Sequence, residues 1–139
     1  MRIVQPHTIN AYDDEKVAIA AFQAFLKISE KWQLKQEQQR ILLGHIPKST
    51  YHLWKNHIEN SHEFKLPKDT LERISYLLGI YKNLHTLLPN SESANQWIHK
   101  PNTATLFNGQ TALDKMLAGN VLDLADVRRF LDSERGAYY

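Results

Sequence analysis

Apolar side chains in this chain recur every three or four residues, and that spacing restricts what it can fold into. Val17, Ala21, Phe25, Ile28 and Trp32 are separated by 4, 4, 3 and 4 positions. With about 3.6 residues per turn, such positions share one face of an α-helix. Leu71, Ile74, Leu77, Leu78, Tyr81 and Leu84 repeat the pattern further along. No stretch carries the convincing apolar–polar alternation of a half-buried strand. The chain is therefore expected to be all-α.

Local chemistry places the expected boundaries. Residues 1–12 read as an extended arm, and Asp13 or Asp14 as the cap of a helix reaching about Trp32. A second helix is expected from about Lys35 to Leu43, with Leu34, Ile41 and Leu42 inward. Gly44 suits a left-handed C-cap, and Pro47 prevents continuation. A third helix should run from Lys48 to Ile58, followed by a polar connection over 59–66. Pro67 suits the first turn of a fourth helix, which ends before Pro89. Ser93-Ala94-Asn95-Gln96 has the capping-box pattern of a short helix through Trp97 and Ile98, stopped before Pro101. Thr111 and Asp114 cap the next helix, and Gly119 closes it. Asp123 and Asp126 open the last one, which carries Leu124, Val127, Phe130 and Leu131 on one face and ends at Gly136.

A length of 139 residues fits one domain, or two small helical modules sharing a core. A hydrophobic content of 42% is enough for a folded core. The chain has no Cys, which excludes disulfides, thiolate metal sites and Cys nucleophiles and fits a reducing cytosol. No run of roughly 18 apolar residues is present to span a membrane, and the first residues lack the apolar core of a signal peptide. A cytoplasmic protein is expected. The net charge of +2 is unevenly spread. Lys31 to Asn60 holds five cations and two anions, whereas Pro101 to Tyr139 holds four cations and five anions.

That basic excess coincides with a helix-turn-helix pattern. Two short helices flank the turn Gly44-His45-Ile46-Pro47, and the second begins Lys48-Ser49-Thr50-Tyr51-His52. Leu53, Trp54 and Ile58 are expected to hold it against the first and fourth helices. Lys48, Ser49, Thr50, His52, Lys55 and Asn56 remain for DNA. Lys48 and Lys55 suit phosphates; Ser49 and His52 suit phosphates or base edges. The positive end of the helix dipole adds to this. The same pattern also fits a helical hairpin with a solvated polar face.

The last third of the chain carries ordered anchors: Trp97-Ile98-x-x-Pro101-Asn102, Phe107-x-Gly109, Ala112-Leu113-Asp114-x-Met116-Leu117-x-Gly119 and Val127-Arg128-Arg129-Phe130-Leu131. In order and spacing they resemble the toxin-binding domain of Xre/MbcA/ParS-type antitoxins, over about Ser93 to Gly136. Many relatives have Pro where this chain has Ala112, and Ala is compatible with the helix start. Pro47-Lys48-Ser49-Thr50-Tyr51-x-x-Trp54-Lys55 also resembles the recognition helix of Xre-like antitoxins.

The resemblance implies a helix-turn-helix domain over 13–88 and a toxin-binding domain over 89–139. It implies an antitoxin of a type II toxin–antitoxin system, with a cognate toxin and operator DNA as partners. The style is most similar to antitoxins paired with RES-domain toxins, which consume NAD. Trp97, Phe107, Leu113, Met116, Leu117, Val127, Phe130 and Leu131 read as core. The core does not explain Arg128, Arg129, Glu134, Arg135, Tyr138 and Tyr139, and Tyr and Arg are enriched at binding hot spots. These are the expected toxin contacts.

Seven His residues invite an enzymatic reading that their spacing does not support. His52 and His57 lie five apart, about 140° around one helix, unlike a ligand pair four apart. No His-Glu-x-x-His motif, phosphate-binding glycine loop or nucleophile elbow is present. Neither catalysis, metal nor cofactor is expected. Reading a palindromic operator requires two-fold symmetry, so a homodimer is expected, with the last two helices as its candidate contact. The alternative is a stand-alone helix-turn-helix regulator whose C-terminal module only dimerises. A third possibility is a partner-binding adaptor without DNA binding.

Overall fold

The computed structural model describes the backbone of residues 6–136 and the side chains of residues 15–136. Among these residues the elements are α1 (Pro6–Lys31), α2 (Gln36–Leu42), α3 (Lys48–Glu59), α4 (Lys68–Leu87), α5 (Ser91–Gln96), a 3-10 turn (Trp97–His99), α6 (Ala112–Met116) and α7 (Val121–Gly136). The all-α expectation holds. The closest approach to a sheet among the described residues is one antiparallel bridge between Pro101 and Thr111.

The first helix starts earlier than expected. It begins at Pro6, so the segment read as an arm over 1–12 is helical from that point, and residues 1–5 lie outside the described residues. Pro suits a first helical turn because its missing N–H has no partner to lose there. Of the expected stripe of α1, Phe25, Ile28 and Trp32 are buried, joined by Ala18, Phe22 and Ser29, whereas Ala21 is half-buried and Val17 is 50% exposed.

Phe22 is fully buried and organises the N-terminal bundle. Its ring meets Trp54 at 5.8 Å, Phe64 at 6.2 Å and Tyr51 at 6.3 Å, each edge-on. Edge-to-face packing sets the positive ring edge against the negative face. Trp54 therefore anchors α3 as expected, and Ile58 packs against the same core. Leu53 does not: it is 52% exposed and points away from the core. One position before Trp54, it lies about 100° around the helix, outside the buried stripe.

α4 is the spine of the molecule and packs against both α1 and α7. Of its expected stripe, Ile74, Leu77 and Leu84 are buried, as are Thr70, Arg73, Ile80 and Asn83, while Leu71, Leu78 and Tyr81 are half-buried. Buried residues from α1 through α7 form one continuous hydrophobic cluster, so the two modules share a core.

The C-terminal helices open differently from the sequence expectation. Asn90, not Ser93, caps α5; its side chain accepts from the Ser93 N–H at 2.8 Å. The Thr111–Asp114 capping box forms as expected. α7 begins at Val121 rather than at Asp123. Asp123 is instead 3.1 Å from Lys115 Nζ, and Asp126 is 3.6 Å from the same ammonium. Among the described residues no helix is long and apolar enough to cross a membrane.

Candidate functional site

Two surfaces carry the expected functional residues. The first is the outer face of α3. Its Tyr51 and Trp54 point inward, and the Tyr51 hydroxyl donates to Gln39 Oε1 at 2.5 Å, tying α3 to α2. Burial pushes that phenol above its ordinary range. Lys48, Ser49, His52 and Asn56 are exposed; Thr50 and Lys55 are half-buried. Lys55 Nζ lies 5.7 Å from the Tyr51 ring centroid, which aligns its aliphatic stem along the helix. The Asn56 carboxamide oxygen already accepts from Asn60 Nδ2 at 2.5 Å. No side chain caps α3, so its first N–H groups stand free beside Lys48 and Ser49. That end is suited to a phosphate oxygen.

Leu53 belongs to this exposed face, which sequence reasoning missed. The positions of Lys48, Ser49, His52, Leu53 and Asn56 fall within one side of α3. An exposed apolar side chain among polar ones suits contact with a thymine methyl group.

The turn before α3 is held from three directions. Gly44 has φ +116° and His45 φ +59°, both left-handed. The Leu43 carbonyl accepts from Thr70 Oγ1 at 2.8 Å. His45 Nε2 reaches the Gly119 carbonyl at 3.3 Å, and Arg73 Nη1 donates to the same oxygen at 3.1 Å. Arg73 Nε also pairs with Asp69 at 2.8 Å. The turn that aims α3 is thus bonded to the turn between α6 and α7.

The second surface is a groove of about 440 Å³ where α4, the 3-10 turn, the 102–104 loop and α7 meet. Leu87, Leu88, Trp97, Ala104 and Phe130 form its apolar wall, and Glu134 supplies a carboxylate at the rim. Trp97 and Phe130, expected as core, are only half-buried here. Phe107 is buried as expected and meets Phe130 edge-on at 5.2 Å and Trp97 at 5.8 Å. Phe107 thus belongs to the core behind the wall that Trp97 and Phe130 present to the groove.

The expected toxin contacts on α7 divide. Arg129 is 69% exposed at its side chain and pairs with Asp126 at 2.6 Å. Glu134 is exposed. Arg128 lies across Gly79 of α4 and donates to the Ser75 carbonyl at 3.4 Å. Arg135 donates to Asn83 Oδ1 at 2.8 Å, and Asn83 Nδ2 donates to Asp132 at 2.8 Å. Arg128 and Arg135 therefore have a structural role that the sequence did not disclose. Tyr138 and Tyr139 lie outside the described residues.

Residues 83–136 match the family described as the antitoxin Xre/MbcA/ParS C-terminal toxin-binding domain. That span starts near the end of α4 and includes the whole aromatic groove. The chain is 41% identical over 117 residues to "Uncharacterized protein y4oB" of Sinorhizobium fredii (strain NBRC 101917 / NGR234), covering 84% of this chain and 85% of that protein. No solved structure matches.

Proposed function

This chain belongs to the Xre/MbcA/ParS antitoxin family, and from that premise we propose how it performs an antitoxin's role. Its toxin partner is a RES-domain, NAD-consuming enzyme. The C-terminal module binds that enzyme and occludes its active site, with no catalysis or cofactor of its own. The aromatic groove receives an apolar element of the toxin. Arg129 and Glu134 flank the contact, Arg135 is held by Asn83 of α4, Arg128 reaches the toxin from beside Gly79, and the segment with Tyr138 and Tyr139 reaches the toxin's nucleotide pocket. The exposed end of α7 beside the half-buried Trp97 and Phe130 is the observation that carries this reading.

The same chain represses its operon in the cytoplasm as a homodimer. Lys48 and the free N–H groups of α3 hold phosphates, while Ser49, Thr50, His52 and Asn56 face base edges with Lys55 alongside. Leu122, 68% exposed on α7, supports the last helices as the dimer contact.

Co-expression of the adjacent gene with and without this chain tests the reading, following growth and cellular NAD. Arrest with NAD loss, rescued by the full chain and not by a chain ending at Ser133, is the expected result. Rescue at constant NAD would replace the RES assignment, and full rescue by the truncated chain would remove the tail's role. An absence of toxicity would favour the stand-alone regulator. Salt-sensitive binding to the chain's own promoter, lost in Lys48→Ala/His52→Ala, tests the DNA half.

A further inference from the structure

A long groove runs between α1 and α4 on the side of α1 that faces away from α3. Two adjoining cavities, of about 410 and 310 Å³, share Leu78 and make it continuous. Ala21, Ala24 and Ile28 line it from α1, Leu71 and Leu78 from α4. Val17, half exposed, stands at one end. From Val17 to Lys31 the groove follows α1 for about 21 Å, the length of several helical turns.

Its charge is one-sided. Lys27, Lys31 and Lys82 line it together with Arg128, whose charge is shared with Asp132 at 3.8 Å, and among the described residues no carboxylate is part of the lining. Glu30 lies three positions from Lys27, about 60° further around α1 from the groove. The mostly apolar floor with cationic borders matches an amphipathic helix bearing acidic flanks, the helix-in-groove mode of recognition.

We infer that this groove docks an acidic amphipathic helix of a protein partner. A second copy of this chain is a poor occupant, because two such faces would set cations against cations. Nucleic acid is a poor occupant as well. The apolar floor offers phosphates nothing, and the groove lies across α1 from Phe22, whose ring packs on Trp54 of α3. Both surfaces are therefore open at once, and the groove is separate from the aromatic groove beside Phe130.

The test uses the full chain and a fluorescein-labelled synthetic helix of about 18 residues, with Leu along one face and Glu on both flanks. A second peptide keeps the Leu face and replaces Glu by Lys. Anisotropy should show saturable binding of the acidic peptide, weakening with salt and falling about tenfold or more in Lys27→Glu/Lys31→Glu/Lys82→Glu. The three lysines are exposed, so the variant should keep its melting temperature. Leu78→Asp should lose binding by the apolar route, with circular dichroism confirming its helix content. Absence of saturable binding, equal binding of both peptides, or unchanged binding by the variants overturns the inference. So does a triple variant that instead loses operator DNA or self-association. The variants leave Arg128 intact, so their effect is separable from toxin neutralisation.

Discussion

His45 Nε2 and the Gly119 carbonyl lie 3.3 Å apart across 74 positions of sequence. His45 occupies the turn that aims α3, and Gly119 the turn that opens α7. Both have left-handed backbone, φ +59° and +92°, and the Gly119 oxygen also accepts from the buried Arg73. The two halves of the molecule therefore meet at a bonded, closely packed point.

Gly119→Ala should be costly for two reasons. A side chain at φ +92° is strained, and a Cβ there would fall within 2.1 Å of His45 Nε2. A loss of about 2 kcal/mol is expected by urea unfolding. His45→Ala should cost about 1 kcal/mol. The double variant should lose less than the sum, by about 1 kcal/mol, because removing the ring removes the clash. Strict additivity would show that the backbone, not the ring, sets the cost.

Gly79→Ala should do the reverse. Gly79 sits in the middle of α4 at an ordinary helical φ, where Ala is the better helix former by up to about 1 kcal/mol. Its new Cβ would meet Arg128 Nε at 2.5 Å, but that guanidinium ends a flexible, partly exposed side chain. A net gain of about 0.5 kcal/mol is expected, with Arg128 displaced. If Arg128 touches the toxin from its present position, neutralising affinity should fall while stability rises. Unchanged affinity would remove Arg128 from the contact.

Asn83→Ala should destabilise by about 2 kcal/mol, since it breaks a buried amide's bonds to Asp132 and Arg135. Hydrogen exchange should rise in the last turns of α7 before the rest of the core. Uniform exchange would mean that packing of Leu124, Val127 and Leu131 alone holds that helix.

Glu15 provides a pH-dependent contact. Its carboxyl titrates above the ordinary range chiefly because it shares a hydrogen bond with Glu63, then through burial and the Glu63 charge, with Lys65 opposing. A raised folded-state value means this contact stabilises at acid pH. That contribution disappears as pH rises through Glu15's folded value, leaving two repelling carboxylates. Glu63→Gln should lower the Glu15 titration, followed by carboxyl NMR shifts, and should make the chain more stable than the parent at neutral pH. A Glu15 titration that does not move would reject the shared proton.

Sequence alone determined what neighbours in the chain can decide. Three-to-four spacing produced helices, Gly44 and Gly119 took the left-handed turns, and Thr111 with Asp114 formed its box, because each acts within about one helical turn. The bounds of α3 and the order of the aromatic anchors were legible for the same reason. Tertiary structure decided the rest. Ala18 is buried and Val17 exposed because of where the rings of α3 and the 59–66 connection seat Phe22. Asp123 left its expected capping role for Lys115 across the α6–α7 turn. Arg128 and Arg135 found Gly79 and Asn83 about fifty positions away. A charge or a half-buried ring has no fixed partner until distant helices pack, so periodicity names the face and packing chooses what it meets.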